Sequence, residues 1–490
     1  MIFPDFKTFK EDFKHYDRIP VYREIVGDTF TPIALLRNFS CEENLFMLES
    51  ANLDKTFSRY SFFGFNTKEI LTFKNSKLYS VKNGKKTEID INPMDYLNNQ
   101  TKNFKGKYYK QFGDFSGGYV GYFGYEMVNY MGILREKIKE PKNEPLMNLM
   151  LIDEFYVFDN HLGKMYACKS ADCKGSPEEA YEKALKSTLS MAEKLHGLNF
   201  DNFESDENFE IKRDYEEEEF VKHVAHIKDE IYNGEVIQCV FSNQYKIKGK
   251  LNPLSLYRTL RNINPSPYMF YLKFKDEVVC GSSPEIHLQI KDGRAVLKPI
   301  AGTYPVGNNI ESIKQNLLKD EKEVAEHLML LDLARNDLYT TCDTDSVKVT
   351  ASFIPEVYSH VIHIVSEVQG NLKKDASNLE LFMKTFPAGT VSGAPKVRAI
   401  ELIDKYEKSP RGFYAGCTGY FSFSGNMDTC ITIRSAKIKK DEAIFRAGAG
   451  IVYDSIPEKE FAEVEGKLKA LFKALERIKY MERYNVFDGR

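Results

Sequence analysis

The stretch Thr429-Cys-Ile-Thr-Ile-Arg-Ser-Ala-Lys-Ile438, followed by Ala443-Ile-Phe-Arg-Ala-Gly-Ala449, decides the fold class. Its β-branched and apolar residues predict two successive strands without an intervening helix. Similar patterns predict further strands at 235–242, 268–274, 278–281, 361–370 and 416–423. Because helices do not alternate strictly with strands, a doubly wound parallel sheet is disfavoured. The pattern predicts an α+β fold, a two-subdomain sandwich of large antiparallel β-sheets covered by helices.

Size and charge exclude several classes of protein. The chain has 490 residues, with 68 basic and 71 acidic side chains. This balance argues against a nucleic-acid footprint. No apolar run approaches the roughly 20 residues that cross a bilayer, and the N-terminus lacks a secretory signal pattern. The 8 cysteines are scattered without a C-x-x-C motif, which predicts reduced thiols and a cytoplasmic location.

An acidic segment suggests how the chain is divided. Residues 201–215 are polar and acidic, which predicts an exposed linker. It would separate an N-terminal part, 1–200, from a C-terminal part, 216–490. We expect the two parts to interleave into one globule.

Two pairs of glutamates stand out. Glu323 and Glu326 lie in one predicted helix, and Glu460 and Glu463 lie in another. Residues three apart share a helix face. The first helix is apolar almost all round after Glu323, which predicts burial. Buried carboxylates need a partner, and a hard divalent cation such as Mg²⁺ is suitable. The second pair alone is more typical of a solvated edge.

Other polar groups have two readings each. The glycines of Ala447-Gly-Ala-Gly and Pro299-Ile-Ala-Gly-Thr are predicted at strand ends, either binding an anion or forming tight turns. His363 is either a satisfied core residue or an acid–base group. Arg434, in an apolar predicted strand, binds either a ligand carboxylate or an internal acid.

Taken together, several long motifs resemble the chorismate-utilising enzymes, and within that family the large components of anthranilate synthases. They follow one another in the order expected: Lys298-Pro-Ile-Ala-Gly-Thr303, Glu326-His-Leu-Met-Leu-Leu-Asp-Leu-Ala-Arg-Asn-Asp-Leu338, Gly389-Thr-Val-Ser-Gly-Ala-Pro-Lys396, Asp428 to Ala436 and Ala447 to Val452. The resemblance covers most of residues 215–475. Leu48-Glu-Ser-Ala51 and Arg59-Tyr-Ser-Phe62 extend it toward the N-terminus.

The resemblance implies a site for chorismate. Magnesium would be held by Glu326 and Glu463, with Glu323 and Glu460 in support, and would bind the ring carboxylate. The remaining substrate contacts would come from these residues: Gly302, Thr303, Tyr414, Arg434, Gly448, Ala449, Gly450 and Lys467.

The resemblance also implies the reaction. Ammonia would add at C2 while Glu285 protonates the departing C4 hydroxyl, and His363 would act in the loss of pyruvate. Gln238 stands where water-adding members carry a lysine base, so ammonia is the better nucleophile. Ala301 stands where aminodeoxychorismate synthases carry a lysine. Both residues favour anthranilate as the product. An aminodeoxychorismate synthase is the alternative enzyme of the same family. A non-catalytic tryptophan sensor is the alternative from another functional class.

Partners and regulation follow from the same resemblance. Ammonia would come from a separate glutamine amidotransferase subunit. L-Tryptophan would inhibit by binding near Glu49, Ser50, Pro267, Tyr268 and Met269; alternatively these residues only join two sheets. The sequence departs from the family where Tyr304 and Val306 replace arginines and Gly466 replaces an asparagine.

Overall fold

The computed structural model describes residues 1–27, 30–50, 59–102, 104–195, 204–307, 309–357 and 361–484. Within these ranges the first strands are β1 (Ile2–Phe3), β2 (Arg18–Ile25), β3 (Leu45–Glu49), β4 (Tyr60–Gly64), β5 (Thr67–Lys74), β6 (Lys77–Lys82), β7 (Lys85–Ile89), β8 (Gly118–Phe123), β9 (Pro145–Ile152), β10 (Glu154–Asp159), β11 (Lys164–Asp172) and β12 (Glu210–Arg213). The others are β13 (Gln238–Lys248), β14 (Tyr268–Phe274), β15 (Glu277–Ser283), β16 (Ile286–Lys291), β17 (Arg294–Leu297), β18 (Ile300–Pro305), β19 (Lys348–Val357), β20 (Val361–Asn371), β21 (Gly393–Ala394), β22 (Cys417–Ser422), β23 (Met427–Ile431), β24 (Ser435–Lys439) and β25 (Glu442–Ile451).

The helices cover these strands. They are α1 (Phe6–Asp12), α2 (Pro32–Asn38), α3 (Pro93–Thr101), α4 (Pro177–Glu193), α5 (Glu217–Tyr232), α6 (Pro253–Ile263), α7 (Ile310–Lys319), α8 (Glu321–Tyr339), α9 (Asn378–Thr385), α10 (Lys396–Tyr406) and α11 (Pro457–Tyr484). None of those in the described ranges combines the length and apolar composition needed to cross a bilayer.

Two large antiparallel sheets form the framework. The first has the order β1-β2-β11-β10-β4-β3-β14-β15-β24-β25-β13-β12, and β21 pairs with β13. The second has the order β18-β20-β17-β16-β23-β22-β8-β9-β5-β6-β7, and β19 pairs with β20. The predicted α+β sandwich of antiparallel sheets is therefore confirmed.

Each sheet combines strands from both halves of the chain. In the first sheet β3, from the N-terminal half, pairs with β14, from the C-terminal half. In the second, β8 pairs with β22. The acidic segment predicted as a linker contributes β12, which pairs with β13 through residues 210–213. Part of that segment is thus an edge strand of the sheet.

Aromatic side chains fill the space between the sheets. Phe62 of β4 and Tyr420 of β22 have ring centroids 6.4 Å apart, and Phe115 contacts both rings. All three belong to one buried cluster. Burial of each such side chain contributes about 1.5–3 kcal/mol of stabilisation. The Phe- and Tyr-rich composition therefore supplies the inter-sheet core.

Arg434 lies where the chain passes from one sheet to the other. The sequence predicted one strand over 429–438, but β23 belongs to the second sheet and β24 to the first. Arg434, between them, has φ +51°, a left-handed conformation that breaks a strand. Apolar periodicity continues across this break, so the pattern alone did not reveal it.

The glycines of 447–450 were expected where a strand ends, and β25 does end at Ile451. Gly302 lies inside β18 and not in a tight turn. One further expectation was wrong. Helix α8 was expected to be buried on all sides, but Leu328 is 47% exposed. Its buried side chains lie on one face: His327, Leu330, Leu331, Ala334 and Leu338. The helix is therefore amphipathic, and its glutamates are half-buried at the edge of that face.

Candidate active site

A hydrogen bond joins β13 to helix α8 at the centre of the candidate site. The Gln238 side-chain amide donates to Glu326 Oε1 at 3.0 Å. Gln238 is 2% exposed, and its Oε1 accepts no hydrogen bond from the described residues. A buried acceptor left without a donor is costly. Gln238 therefore holds Glu326 with one end of its amide and presents an unsatisfied oxygen with the other.

The glycines of β25 form the floor beside this pair. A Cβ atom at Gly450 would lie 2.5 Å from Gln238 Nε2 and 3.7 Å from Glu326 Oε1. At Gly448 it would lie 3.1 Å from the Tyr414 hydroxyl oxygen. Contacts shorter than 3 Å are overlaps that a packed interior does not tolerate. Glycine is required here because side chains from other elements occupy the space above the strand.

Strand alternation sets which peptide groups of β25 face the site. The carbonyl oxygen of Gly448 accepts from Lys467 Nζ at 2.8 Å, so this peptide edge points away from β13. Residues two apart in a strand point the same way. Gly450 therefore shares the orientation of Gly448, whereas Ala449 faces its partner Phe241 in β13. Of the three residues predicted to offer backbone contacts to the substrate, Gly448 and Gly450 therefore direct their peptide groups away from β13, toward Lys467.

Lys467 of α11 connects several groups of the site. Its ammonium lies 2.7 Å from Glu463 Oε1, and its carbonyl oxygen accepts from Arg434 Nη1 at 3.3 Å. Its charge also lowers the pKa of four other side chains: Glu285, Glu326, Glu460 and His363. These groups therefore lie within electrostatic range of Lys467, and we call the region around it the cleft.

Four carboxylates face this cleft from two helices. Glu323 and Glu326 come from α8, and Glu460 and Glu463 from α11. Burial, together with the charges of Glu323 and Glu463, raises the pKa of Glu326 to about 7. Burial and the charge of Glu463 also raise the pKa of Glu460. The cleft is therefore strongly electronegative.

The donor set fits a hard cation. Carboxylate oxygens are what Mg²⁺ prefers, and it completes its shell with water and anionic ligands. In the described part of the chain, no three His, Cys, Asp or Glu side chains are gathered into a ready-made metal site. The fit rests on the type of donor and on the unsatisfied Gln238 oxygen beside Glu326.

The start of α8 is anchored by one of the unusual residues of this chain. Tyr304 donates its hydroxyl to Asp320 Oδ2 at 2.8 Å. Asp320 is the N-cap of α8 and accepts from the backbone N–H of Lys322 and Glu323. Tyr304 thus takes the place of an arginine and still fixes the helix that carries two of the glutamates. Val306 packs in a small apolar cluster nearby.

Glu285 is a buried carboxyl without a close cationic partner among the described residues. It is 8% exposed and lies in the two-residue connection between β15 and β16. Burial raises its pKa to about 7, while the Thr390 hydroxyl and the Lys467 charge lower it in part. The Thr390 hydroxyl lies close to Glu285 but makes no hydrogen bond with the described residues. At neutral pH Glu285 is substantially protonated, as a general acid requires.

His363 is a neutral imidazole in this environment. Its Nδ1 lies 3.0 Å from the carbonyl oxygen of Gly302, and a carbonyl only accepts, so Nδ1 carries the hydrogen. Burial lowers its pKa to about 4, assisted by the charges of Arg434 and Lys467. The basic lone pair is then on Nε2. Thr303 pairs with His363 in β18–β20; its side chain lies outside the described residues.

Arg434 and Tyr414 complete the wall of the cleft. Burial lowers the pKa of Arg434, while the Tyr414 oxygen and Glu463 raise it. No carboxylate of the described residues lies within salt-bridge distance of Arg434; its printed hydrogen bond goes to the Lys467 carbonyl. A half-buried guanidinium without an acid partner is suited to an anionic ligand.

The predicted inhibitor residues gather at a junction between the sheets. Glu49 pairs with Met269 in β3–β14, and its buried carboxylate accepts from Tyr257 at 2.7 Å and Arg261 at 3.1 Å. Tyr268 donates to Asp428 Oδ1 at 3.0 Å, which does join the two sheets. The half-buried Ser50 and Pro267 lie beside these strand ends. Ala51 lies outside the described residues.

Sequence reasoning missed Thr390. It belongs to Gly389-Thr-Val-Ser-Gly, a motif that supports the resemblance. In the structure its segment packs on α8, because a Cβ at Gly389 would lie 2.0 Å from Leu333. Gly389 was the feature of the sequence that could have indicated this close approach, because glycine often marks a site where another part of the chain comes near the backbone.

Comparisons with known proteins match this fold and cleft. The chain belongs to the family of chorismate binding enzymes, whose model matches residues 46–473. Within the family, it is similar over nearly its whole length to proteins named anthranilate synthase component 1. One from Acetivibrio thermocellus is 36% identical over 97% of this chain and 99% of the relative. One from Aquifex aeolicus is 40% identical over 94% and 96%.

Solved structures agree. The crystal structure of anthranilate synthase component I from Streptococcus pneumoniae is 34% identical and has a TM-score of 0.74, covering 84% of this chain and 92% of that one. The menaquinone-specific isochorismate synthase of Escherichia coli is 17% identical with a TM-score of 0.68, covering 96% and 98%. The latter shows a shared fold alone. The predicted family membership is confirmed.

Proposed function

We propose that this chain catalyses the magnesium-dependent amination of chorismate at C2, followed by elimination of pyruvate to give anthranilate. The observation that carries the proposal is the cleft around Lys467, where a protonatable Glu285, a neutral His363 and glutamates of two helices converge. The names of the full-length relatives favour the same activity.

Binding uses the charges of the cleft. Glu326 and Glu463 would hold magnesium, with Glu323 and Glu460 in support. When bound, the ion neutralises and polarises the ring carboxylate of chorismate. The backbone N–H groups of Gly448 and Gly450 would donate to that carboxylate. Arg434 would bind the carboxylate of the enolpyruvyl group through its guanidinium fork. Together these contacts orient the dianion in the cleft.

The first step replaces the C4 hydroxyl. Gln238 Oε1 accepts an N–H of ammonia, whose lone pair forms the bond to C2 as the two ring double bonds shift. Glu285 gives its proton to the C4 oxygen, and the C4–oxygen bond breaks to release water. The ammonium group formed at C2 then loses one proton, which restores the neutral Glu285. A glutamine cannot deprotonate water, so this position favours ammonia over water as nucleophile. General acid catalysis of this kind contributes typically 10²–10⁴-fold.

The second step makes the ring aromatic. His363 Nε2 takes the proton from C2, and the C3–oxygen bond breaks. The enolpyruvyl group accepts a proton at its methylene carbon and leaves as pyruvate. A neutral histidine is needed for this role, which agrees with its lowered pKa.

We further propose how ammonia arrives and how the activity is controlled. A separate glutamine amidotransferase subunit would supply ammonia in the cytoplasm, since the relatives are named component 1. L-Tryptophan would inhibit by binding at the junction of Glu49, Ser50, Pro267, Tyr268 and Met269. Glu49 is already paired with Arg261, so ligand binding there would be coupled to α6.

The test is direct. The purified chain is incubated with chorismate, MgCl₂ and ammonium chloride, and the product is identified by fluorescence and chromatographic retention. Anthranilate, formed with one equivalent of pyruvate and lost on chelation of magnesium, is expected. Formation of a 4-amino product would favour aminodeoxychorismate synthase. Absence of any turnover, with tryptophan still bound, would favour the sensor.

A further inference from the structure

A fully buried arginine lies one layer behind the cleft. Arg411 is 2% exposed and belongs to the turn that follows α10. Its Nη1 donates to the Val391 carbonyl at 2.6 Å, and its Nη2 to the Val240 carbonyl at 2.8 Å. Neither acceptor belongs to the same element as Arg411. The side chain therefore connects three separate parts of the chain.

Each of these parts carries a group of the candidate site. Val391 follows Thr390, the neighbour of Glu285. Val240 is the partner of Gly450 in the β13–β25 ladder. The carbonyl of Arg411 itself accepts from the Tyr414 N–H at 3.2 Å.

Arg411 and Arg446 share one buried carboxylate, that of Glu407. Glu407 accepts from Arg411 Nε at 3.0 Å and Nη2 at 2.7 Å, and from Arg446 Nη2 at 2.6 Å. Glu407 also accepts from the N–H and hydroxyl of Ser242. Because Nε, Nη1 and Nη2 of Arg411 all donate hydrogen bonds, the guanidinium is held in one orientation. Arginine's planar fork supplies these donors simultaneously, whereas lysine offers a point charge.

We propose that Arg411 is the positioning residue of the cleft: it fixes the Thr390 segment, the β13 strand opposite Gly450 and the Tyr414 turn relative to one another. The expected change in kcat rests on the proposed function, whereas the expected change in the Glu285 titration does not. Its guanidinium carbon lies 5.7 Å from the centroid of the Tyr414 ring, and its hydrogen bonds go to the segments that it holds, so it acts through them. Misplacement of catalytic groups by about 1 Å can cost roughly 10²-fold in rate.

The test compares Arg411→Lys with Arg446→Lys. Arg446 is a matched control, because it is equally buried and shares Glu407, but it donates to the carbonyls of Ser409 and Pro410. Two experiments are made on each variant. Steady-state kinetics give kcat and KM at constant free ammonia. ¹³C NMR follows the titration of the Glu285 carboxyl, whose signal is assigned with Glu285→Gln. The groups that face Glu285 are the Thr390 hydroxyl and the Lys467 ammonium.

A positioning role predicts a difference between the variants. Arg411→Lys should lower kcat about 10- to 100-fold with a smaller change in KM. It should also shift the Glu285 titration, because displacement of the Thr390 segment and of β13 changes the burial that sets the pKa of this carboxyl. Arg446→Lys should lose thermal stability but keep the wild-type titration. Equal kinetic losses in both variants, or an unchanged Glu285 titration in Arg411→Lys, would overturn the proposal.

Two provisions keep the outcome interpretable. The NMR titration needs no turnover, so a wild-type chain that forms no anthranilate would refute the proposed function while the positioning of Glu285 is still measured. If Arg411→Lys does not fold, Glu407→Gln is used, which keeps the shape of the acceptor but weakens its hold on the guanidinium. There too, an unchanged titration of Glu285 contradicts the proposal.

Discussion

Two regions of the molecule bury glutamates, and they treat them in opposite ways. Behind the cleft, Glu407 is surrounded by Arg411 and Arg446, which hold its pKa below the usual range despite burial. In the cleft, burial raises the pKa of Glu285 to about 7, with no arginine or lysine within salt-bridge distance among the described residues. The paired acid stabilises the fold, whereas the acid without a partner is unfavourable for folding and available for chemistry.

The largest effect is expected at Glu326. Glu326→Gln keeps the shape of the side chain but removes a negative charge that the metal would require, and the metal would in turn bind the chorismate carboxylate. Loss of several kcal/mol of transition-state stabilisation corresponds to at least about 10³-fold in kcat/KM, measured by anthranilate fluorescence.

The control lies on the same helix. Asp332→Asn removes an exposed partner of Arg335, which is worth at most about 1 kcal/mol, and its activity should remain near wild type. Wild-type activity in Glu326→Gln would remove Glu326 from the metal site.

Glu285→Gln should separate function from stability. Turnover should fall about 10²-fold or more because glutamine cannot protonate the C4 hydroxyl. The same change should stabilise the fold above neutral pH, as measured by denaturant unfolding. In the wild type, the favourable proton binding of the folded state is fully present below the unfolded pKa near 4.5 and is lost as pH rises through about 7.

The magnitude follows from that shift. Ionising Glu285 in the folded state costs about 3 kcal/mol by pH 8, so Glu285→Gln should gain up to that amount at pH 8 and nothing at pH 4. Glu407→Gln should show the opposite sign, losing stability at pH 8, because its pKa is lowered by two arginines. Equal responses of the two variants to pH would contradict the comparison.

The wild-type rate should decline as pH rises above about 7. Deprotonation of Glu285 removes the general acid, and its pKa in the folded chain sets the midpoint of the decline. Because ammonia itself titrates, kcat must be compared at a fixed concentration of free NH₃. A rate that stays level to pH 9 under that condition would exclude Glu285 as the acid.

Gly450→Ala should lower activity about 10- to 100-fold, with a smaller loss of stability. Its Cβ would overlap the Gln238 amide at 2.5 Å and displace it from Glu326. Gly466→Ala is the matched control, since nothing lies within 4 Å of its Cβ position in α11. It should gain about 0.5–1 kcal/mol of stability with full activity. Similar activities of the two variants would argue against the glycine floor.

The smallest effect concerns regulation. Ser50→Phe should raise the concentration of tryptophan needed for half-inhibition about 10-fold by filling the space beside Glu49, with kcat unchanged. Ser190→Phe on the exposed face of α4 serves as control. Inhibition curves that coincide for both variants would move the inhibitor site elsewhere.

Much of the site was predictable because its residues belong to long motifs. The succession of strands without alternating helices predicted the antiparallel fold, and the motifs implied that Glu285, His363 and Lys467 serve one site. The segment 447–450 was expected where a strand ends, and β25 does end at Ile451. The sequence could not show that glycine is needed there because the Gln238 amide lies against the strand at Gly450.

The region behind the cleft was not predictable. The segment Glu407-Lys-Ser-Pro-Arg-Gly412 has the composition of an exposed polar turn. The burial of Glu407 and Arg411 depends on Arg446, which is distant in sequence and lies in an apolar strand. Single-sequence periodicity contains no information about such long-range ion pairs.

The most direct test is a titration of Mn²⁺, as a spectroscopic substitute for magnesium, into the chain with chorismate present, followed by electron paramagnetic resonance. We predict one bound ion per wild-type chain and per Glu407→Gln chain, and loss of that ion in Glu326→Gln. Undiminished binding in Glu326→Gln would contradict the assignment of the cleft carboxylates to a metal.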